Sequence, residues 1–251
     1  MLVLSVLGVI MLGAGLRALI AEREAYGGRV GIEERSALRG ALRILEGELR
    51  QVTSADGPST GGTDIRTAGA ESIAFRAQRK VGFVCEVQPA DQWVAARPLG
   101  EPFIEDDALL LFVDGDSLDY RDDRWETVAV AAVSGTRDPS CPQRLQLGPM
   151  ELDGVYPGAP VRSYEWVRYG LYDFGALGWG LGRRRPGEPV RLLVGNLAGP
   201  GEGLVLEYFD AAGKPTGEIT EIARARITAR RISGTGEGTV QVTTTVYLRN
   251  N

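Results

Sequence analysis

Few residues of this 251-residue chain have the types and spacing that catalysis requires. The sequence contains no histidine, so a Ser-His-Asp or Cys-His catalytic arrangement and a histidine-ligated zinc site are excluded. Adjacent carboxylates such as Asp106 and Asp107, or Asp122 and Asp123, would point to opposite faces of a strand and would not converge as a glycosidase pair does. We therefore expect a protein that is not an enzyme and that binds no cofactor.

The acidic segment EDDALLLFVDGDSLDYRDD contains the strongest candidates for metal ligands. Asp114, Asp116 and Asp119 lie close together in it, and calcium binds clustered carboxylates. Their spacing differs from that of an EF-hand loop, which has a Gly at its sixth position and a Glu at its twelfth. Because Asp-Gly is also the ordinary signal of a hairpin turn, we interpret the segment as a solvated turn that holds no metal.

Cys85 and Cys141 are the only cysteines, which is too few for a structural zinc site by themselves. Two alternatives stay open from the sequence. The cysteines form a single disulfide in an exported domain, or they are two unrelated buried thiols.

Two arginine-rich segments are candidate basic patches for DNA: GRRRPG, with Arg183 to Arg185, and ARARITARR, which starts at Ala223. The sequence does not interleave aromatic residues with these arginines, and the whole chain has a formal net charge of −5. The pattern therefore favours a solvated, salt-bridged strand face, and DNA is kept as a candidate partner only. Alternation in the second segment, where Arg224, Arg226, Thr228 and Arg230 share one face, agrees with this interpretation.

An aromatic-rich stretch follows the middle of the chain and consists of Trp166, Tyr169, Tyr172, Phe174 and Trp179. A surface of this composition binds sugars or protein partners in some proteins. Core packing is the default interpretation, because aromatic side chains bury large apolar areas.

The elements that must position these residues begin with a helical pattern. Residues 1–16 carry no charge, and Arg17 ends a run that would reach only about 24 Å as a helix, short of the about 30 Å hydrocarbon core. Apolar residues then recur at spacings of three and four along IEERSALRGALRILEGELRQV: Leu38, Ala41, Leu42, Leu45, Leu49 and Val52. This periodicity predicts one apolar face of an amphipathic helix.

From Ile65 onward the pattern changes to short β-like runs separated by turns rich in Gly, Pro and Asn. SIAFRA and VGFVCEV predict two strands, and DALLLFVDGDSLDYRDDRWETVAVAAV predicts further strands joined by Asp-Gly turn chemistry. Similar runs continue to the terminal TVQVTTTVYLRN. The sequence therefore predicts an antiparallel sheet domain after the helix.

An apolar N-terminal run that continues into an amphipathic helix and then a β-rich domain resembles the type IV pilin superfamily. LVLSVLGVI is similar to the middle of the prepilin N-terminal motif, in which a basic leader ends in Gly and cleavage leaves Phe-Thr-Leu-Ile/Val-Glu before an apolar helix. On this resemblance, the leader, the glycine and the glutamate would lie just before Met1. ALRGALRILEGELRQV, SIAFRA, DALLLFVDGD, APVRSYEWVRYGLY and VYLRN resemble segments of PilW-type minor pilins and of J-type minor pseudopilins of type II secretion.

The resemblance implies an α+β fold in which a long N-terminal helix, apolar and then amphipathic, packs on an antiparallel β-sheet domain. The helix would span residues 1–52, with about 1–21 embedded in the membrane and about 32–52 amphipathic. Residues 53–251 would form a β-rich globular periplasmic or extracellular domain. The protein would be a single-pass inner-membrane protein that enters a pilus or pseudopilus on assembly.

The function that the resemblance implies is that of a minor pilin or pseudopilin, a non-enzymatic subunit that initiates or caps assembly of a type IV pilus or a type II secretion pseudopilus. Its partners would be other minor pilins, the major pilin or pseudopilin, a prepilin peptidase and an inner-membrane assembly platform. The alternative is a membrane-anchored periplasmic binding module for a glycan or DNA. Small residues would let neighbouring helices approach closely as a helix-assembly surface: Gly8, Gly13, Ala14 and Gly15.

Overall fold

The computed structural model describes residues 32–57, 61–115, 123–233 and 238–249. In these ranges one helix, α1, covers residues 32–49, and twelve strands follow it. The strands are β1 (Ile65–Ala68), β2 (Ser72–Gln88), β3 (Trp93–Pro98), β4 (Ala108–Val113), β5 (Arg124–Gly135), β6 (Gln143–Leu147), β7 (Pro160–Asp173), β8 (Trp179–Arg184), β9 (Arg191–Leu197), β10 (Leu204–Phe209), β11 (Arg224–Ile232) and β12 (Thr239–Tyr247).

The predicted α+β fold with a long N-terminal helix on a sheet is wrong for the part of the chain that the structure describes. Antiparallel strands dominate that part, and α1 is its one α-helix. The helix ends at residue 49 rather than 52 because the chain tightens into a turn, in which the Gln51 amide donates to the Glu48 carbonyl oxygen at 3.2 Å. Residues 1–31, which contain the predicted assembly surface of Gly8, Gly13, Ala14 and Gly15, lie outside the described residues.

The predicted single-pass inner-membrane location is also contradicted. No helix in the described part of the chain is both long enough and apolar enough to cross a membrane. Arg35, Arg39 and Arg43 divide the sequence of α1 into short apolar pieces, and this explains the result for that helix. The segment that was predicted to lie in the membrane, about 1–21, falls outside the described residues.

The first core lies between α1 and one face of the sheet. Leu38, Leu42, Leu45 and Leu49 are at most 1% exposed, so the spacing of three and four does place one helix face in the core. Their partners are buried residues of eight strands, such as Ile73, Phe75, Tyr169, Leu181, Leu206, Ile227 and Val246. The helix therefore supplies one side of this core, and strands supply the other.

The second core lies inside a closed cycle of six strands. Hydrogen bonding runs from β2 to β3, β6, β5, β4, β7 and back to β2, with antiparallel pairing at every step. Alternate residues of these strands form one apolar cluster, for example Leu109, Leu111 and Val113 of β4, each of which is fully buried. This cluster contains no residue of α1.

Strands β2 and β7 belong to both cores because they are unusually long. The two runs SIAFRA and VGFVCEV, predicted as separate strands, are the two halves of β2. The first half of β2 pairs with β7 beneath α1, and the second half also pairs with β3 in the six-stranded cycle. The register of β2 against β7 shifts between Gln78 and Lys80, so Arg79 is the extra residue of a β-bulge.

Truncation of a buried leucine of α1 should destabilise the helix-backed core. Leu45→Ala is expected to lower the free energy of unfolding by about 2–5 kcal/mol, because Leu45 is fully buried and its removal leaves a cavity. Ile44→Ala is the matched control, since the neighbouring Ile44 is 48% exposed. Urea denaturation followed by circular dichroism measures both changes. Equal effects of the two substitutions would contradict the packing described for α1.

Candidate functional site

The outer face of α1 is exposed and combines basic and apolar side chains. Ile32 is 72% exposed and Ile44 is 48% exposed. Arg35, Arg39 and Arg43 are exposed and follow one another at intervals of four, which places them along one side of the helix. Within the described ranges, no salt bridge joins these three arginines to a carboxylate.

This outer face is also open at its centre. A side chain added at Gly40 would meet no atom of the domain within 4 Å, and the same holds at Gly47. We call the surface formed by Ile32, Arg35, Arg39, Gly40 and Arg43 the outer helix face. Nothing on the described part of the domain packs against its centre, so a neighbouring molecule can approach the backbone there.

The opposite side of α1 is fixed by a polar network around Glu48. The Tyr169 hydroxyl donates to Glu48 Oε2 at 2.9 Å, and Arg79 Nη1 donates to Glu48 Oε1 at 2.9 Å. Burial alone would lower the pKa of Arg79, but the Glu48 and Glu165 carboxylates raise it overall. Arg79 is the bulge residue of β2, so the bulge directs its guanidinium toward the helix.

Glu165 of β7 extends this network to the first arginine-rich segment. It accepts hydrogen bonds from Arg79 and from Arg183 Nη2, the latter at 2.5 Å, and Arg185 Nε lies 2.9 Å from its other oxygen. Arg183 thus belongs to the helix-to-sheet contact, and Arg185 is paired with carboxylates. GRRRPG is therefore not one continuous basic patch.

The second arginine-rich segment forms the salt-bridged strand face that its alternation favours. In β11, Arg226 Nη1 lies 3.3 Å from Glu207 and Arg230 Nη1 lies 3.1 Å from Glu202. Arg224 lies over the Phe209 ring, with 4.9 Å between its Cζ and the ring centroid. These arginines are satisfied within the domain.

The predicted acidic cluster is only partly within the described residues. Asp116 and Asp119 lie outside them, as does Asp122. At the other end of β4 from Asp114, Asp107 accepts hydrogen bonds from Lys80 Nζ at 2.7 Å and from the Ile104 amide at 2.8 Å. In the parts of the chain that are described, no three Cys, Asp or Glu side chains are grouped so that they could hold a metal ion.

Asp64 ties the segment after α1 to strand β2. Its Oδ1 accepts from Arg76 Nε at 2.8 Å and its Oδ2 accepts from the Thr53 amide at 2.9 Å. Burial raises the pKa of the Asp64 carboxyl, and this effect outweighs the opposing hydrogen bond from Thr53 and the positive charges of Arg76 and Arg249. Asp64 and Arg76 are both less than 10% exposed, so they form a buried ion pair.

The two cysteines are joined in the structure. The Cys85 and Cys141 sulfur atoms are 2.01 Å apart, and their Cα atoms are 6.2 Å apart. Cys85 occupies a second irregularity of β2, since the register against β3 shifts between Val84 and Glu86. Cys141 lies two residues before β6, so the bond connects β2 to the segment between β5 and β6 in the six-stranded cycle.

The aromatic-rich stretch is divided between the two faces of the sheet. Tyr169 is fully buried toward α1 and stacks on Phe75 with 5.8 Å between ring centroids. Trp166 and Tyr172 are partly exposed, and Tyr172 meets Phe174 edge to face. The default interpretation of core packing therefore describes Tyr169 but not Trp166.

Trp166 belongs to an arginine and aromatic face that sequence reasoning missed. Arg66 and Arg76 each lie within 6 Å of the Trp166 ring centroid, and Arg76 also lies 5.4 Å from that of Tyr164. The arginine and aromatic residues of this face come from three strands. Interleaving of the two residue types within one segment of sequence was therefore the wrong criterion for finding such a face. The alternation in VRSYEWVR, which places Arg162, Tyr164, Trp166 and Arg168 on one face of β7, was the available signal.

Loss of the disulfide should destabilise the domain. The half-cystines are 56 residues apart in sequence, and the chain-entropy model gives a loop of this size about 3–5 kcal/mol. The double substitution Cys85→Ser and Cys141→Ser should lower the free energy of unfolding by that amount. Wild-type protein in the presence of a reductant is the control and should give the same value. Unchanged stability in both experiments would contradict a structural role for the bond.

Tyr169 should remain protonated well above the pH at which a tyrosine usually ionises, which is about 10. Burial and the adjacent Glu48 carboxylate raise the pKa of this phenol. Its contribution to stability is therefore complete below pH about 10 and is lost as the pH rises through the raised folded-state pKa. In a spectrophotometric pH titration, tyrosines of this kind ionise only when the domain unfolds at alkaline pH. Tyr169→Phe should lower the number of these late-ionising tyrosines by one. Urea-unfolded protein, in which all tyrosines titrate near pH about 10, is the control, and an unchanged late fraction would refute the assignment.

The chain was compared with protein-family models, with curated proteins and with solved structures, and none of them matches it. The resemblance to the pilin superfamily therefore depends on the sequence segments quoted above. No relative supplies a function, and the surfaces of the described residues must carry the functional argument.

Proposed function

We propose that this chain is a non-enzymatic structural subunit, a minor pilin or pseudopilin that initiates or caps assembly of a pilin-type filament. The observation that carries the proposal is the two-sided use of α1. Its inner face packs into the core of a β domain, whereas its outer helix face is exposed, open and basic. A subunit that packs on its neighbours through helices needs both properties in one helix.

The rigidity of the attachment supports this proposal. Four leucines and the Glu48 network hold α1 against the sheet, so the outer helix face keeps one orientation relative to the whole domain. A surface that must contact neighbouring subunits in one fixed orientation benefits from being preorganised. The disulfide between Cys85 and Cys141 also supports it, because such bonds persist in oxidising conditions and a surface filament meets those conditions.

The proposed partners follow from the same reasoning. Other minor pilins and the major pilin or pseudopilin would contact the outer helix face, and a prepilin peptidase and an assembly platform would act before that contact forms. Gly8, Gly13, Ala14 and Gly15, which the sequence resemblance assigns to contacts between subunits, lie outside the described residues.

A bulky residue on the outer helix face should block assembly without unfolding the domain. Gly40→Trp is expected to reduce co-purification with co-expressed pilin-type subunits of the same genome by at least about tenfold, since close approach of the backbones is lost. The substitution leaves the domain itself intact, because a Cβ at Gly40 meets nothing within 4 Å. Gly135→Trp is the matched control at an equally open glycine of β5.

The same assay tests the predicted N-terminal part of the surface through Gly13→Leu and Gly15→Leu, which should also reduce co-purification. Wild-type chain that fails to co-purify with any pilin-type subunit would overturn the proposal. So would co-purification that Gly40→Trp and Gly135→Trp leave equally strong. In either case the chain would act through its β domain alone.

A further inference from the structure

A cleft of about 290 Å³ opens on the face of the sheet opposite α1. Strands β1, β2, β7 and β8 form it, and the residues that line it include Arg66, Arg168, Arg184 and Arg185. Trp166 and Pro186 supply apolar surface between them. Four arginines around one small cleft are unexpected in a chain whose formal net charge is −5.

The strand register fixes two of these arginines side by side. Arg168 of β7 is directly opposite Arg184 of β8, and Arg168 is opposite Ala74 of β2 on its other side. Like charges that face each other across two strands destabilise a sheet. Ala74 contributes no compensating charge, so the fold tolerates this repulsion rather than relieving it. An anion bound between the two guanidinium groups would remove the repulsion.

Three of the four arginines have no carboxylate partner among the described residues. Arg168 donates one hydrogen bond, from Nη2 to Ser72 Oγ at 2.9 Å, and Arg66 lies over Trp166. Arg185 differs from the others, since it pairs with Glu165 and Glu188. Because a guanidinium has five N–H donors, Arg66, Arg168 and Arg184 together present many donors to the cleft.

The surroundings of Trp166 restrict what kind of anion fits. Arg66 and the buried Arg76 both lie within 6 Å of the ring centroid, and Arg76 is held in place by Asp64. Sequence-tolerant binding of single-stranded nucleic acid needs aromatic faces on which bases stack, and this ring is already contacted by two guanidinium groups. The cleft is also at the small end of the range for ligand sites. Carboxylates on short side chains suit it better than a chain of nucleotides.

We propose that this cleft binds an acidic peptide segment of a partner protein through bidentate contacts of arginine with carboxylate. Guanidinium and carboxylate groups match in geometry, and these charge-assisted hydrogen bonds are stronger than neutral ones. Trp166 and Pro186 contact the aliphatic parts of the bound segment. The cleft lies on the face opposite α1, so its occupation is independent of contacts at the outer helix face and of the proposed filament function.

Fluorescently labelled hexaglutamate tests this proposal by anisotropy with the full chain. Wild-type protein is expected to bind it at low ionic strength and less tightly at about 0.15 M salt. The double variant Arg168→Gln and Arg184→Gln should weaken binding by at least about tenfold. The matched control is Arg97→Gln with Arg137→Gln, which removes two exposed arginines of the six-stranded half of the domain and should change binding by less than about twofold.

A second measurement separates binding from folding. Hexaglutamate should raise the Tm of the wild-type chain and of the control, whereas the Tm of the Arg168→Gln and Arg184→Gln variant should not respond to the peptide. The variant itself should be no less stable than wild type, because the substitution relieves a like-charge pair.

Three results would overturn the proposal: no binding of hexaglutamate to wild type, binding that the cleft variant leaves unchanged, or tighter binding of a labelled thymidylate hexamer that the cleft variant abolishes. The last result would assign the cleft to nucleic acid. None of them bears on the Gly40→Trp experiment, so the two proposals fail separately.

Discussion

The burial of four leucines of α1 against the sheet is the contact on which the rest of this structure depends. Without the helix, the inner surfaces of eight strands would face water, since Leu38, Leu42, Leu45 and Leu49 cover them in the first core. Apolar burial by itself does not fix how a helix is rotated or how far it slides. The Glu48 network restricts both, because Tyr169 and Arg79, which belong to the sheet, each donate a hydrogen bond to one of its two carboxylate oxygens.

The two cores are coupled through β2 and β7 rather than through a linker. One half of each strand packs beneath α1, and the other half pairs within the six-stranded cycle. The bulge at Arg79 lies where β2 passes from one role to the other, and the same residue closes the polar contact with the helix. A change at this junction would therefore disturb both cores and the orientation of the outer helix face together.

The predictable parts of this fold are those that depend on neighbours in sequence. The spacing of Leu38, Leu42, Leu45 and Leu49 identified the buried helix face, and the run SIAFRA identified the first half of β2. The overall class was wrong because the amount of strand depends on pairing between distant segments, such as the return of β7 onto β2. The arginine cleft was missed for the same reason, since Arg66, Arg168 and Arg184 meet only through strand register. For the two cysteines, the sequence left two alternatives open, a disulfide bond or two free thiols. Only the relative positions of β2 and β6 in the fold decide between them.

The bond between Cys85 and Cys141 has a mechanical consequence. When a force pulls on the two ends of this domain, its covalent path runs from residue 85 to residue 141 through the sulfur atoms and bypasses β3, β4 and β5. The 56-residue separation corresponds to roughly 190 Å of extended chain that stretching cannot release. The domain can lengthen only by unravelling segments outside residues 85–141. Three of the twelve described strands are thereby protected from unravelling under tension, whatever load the other nine have to bear.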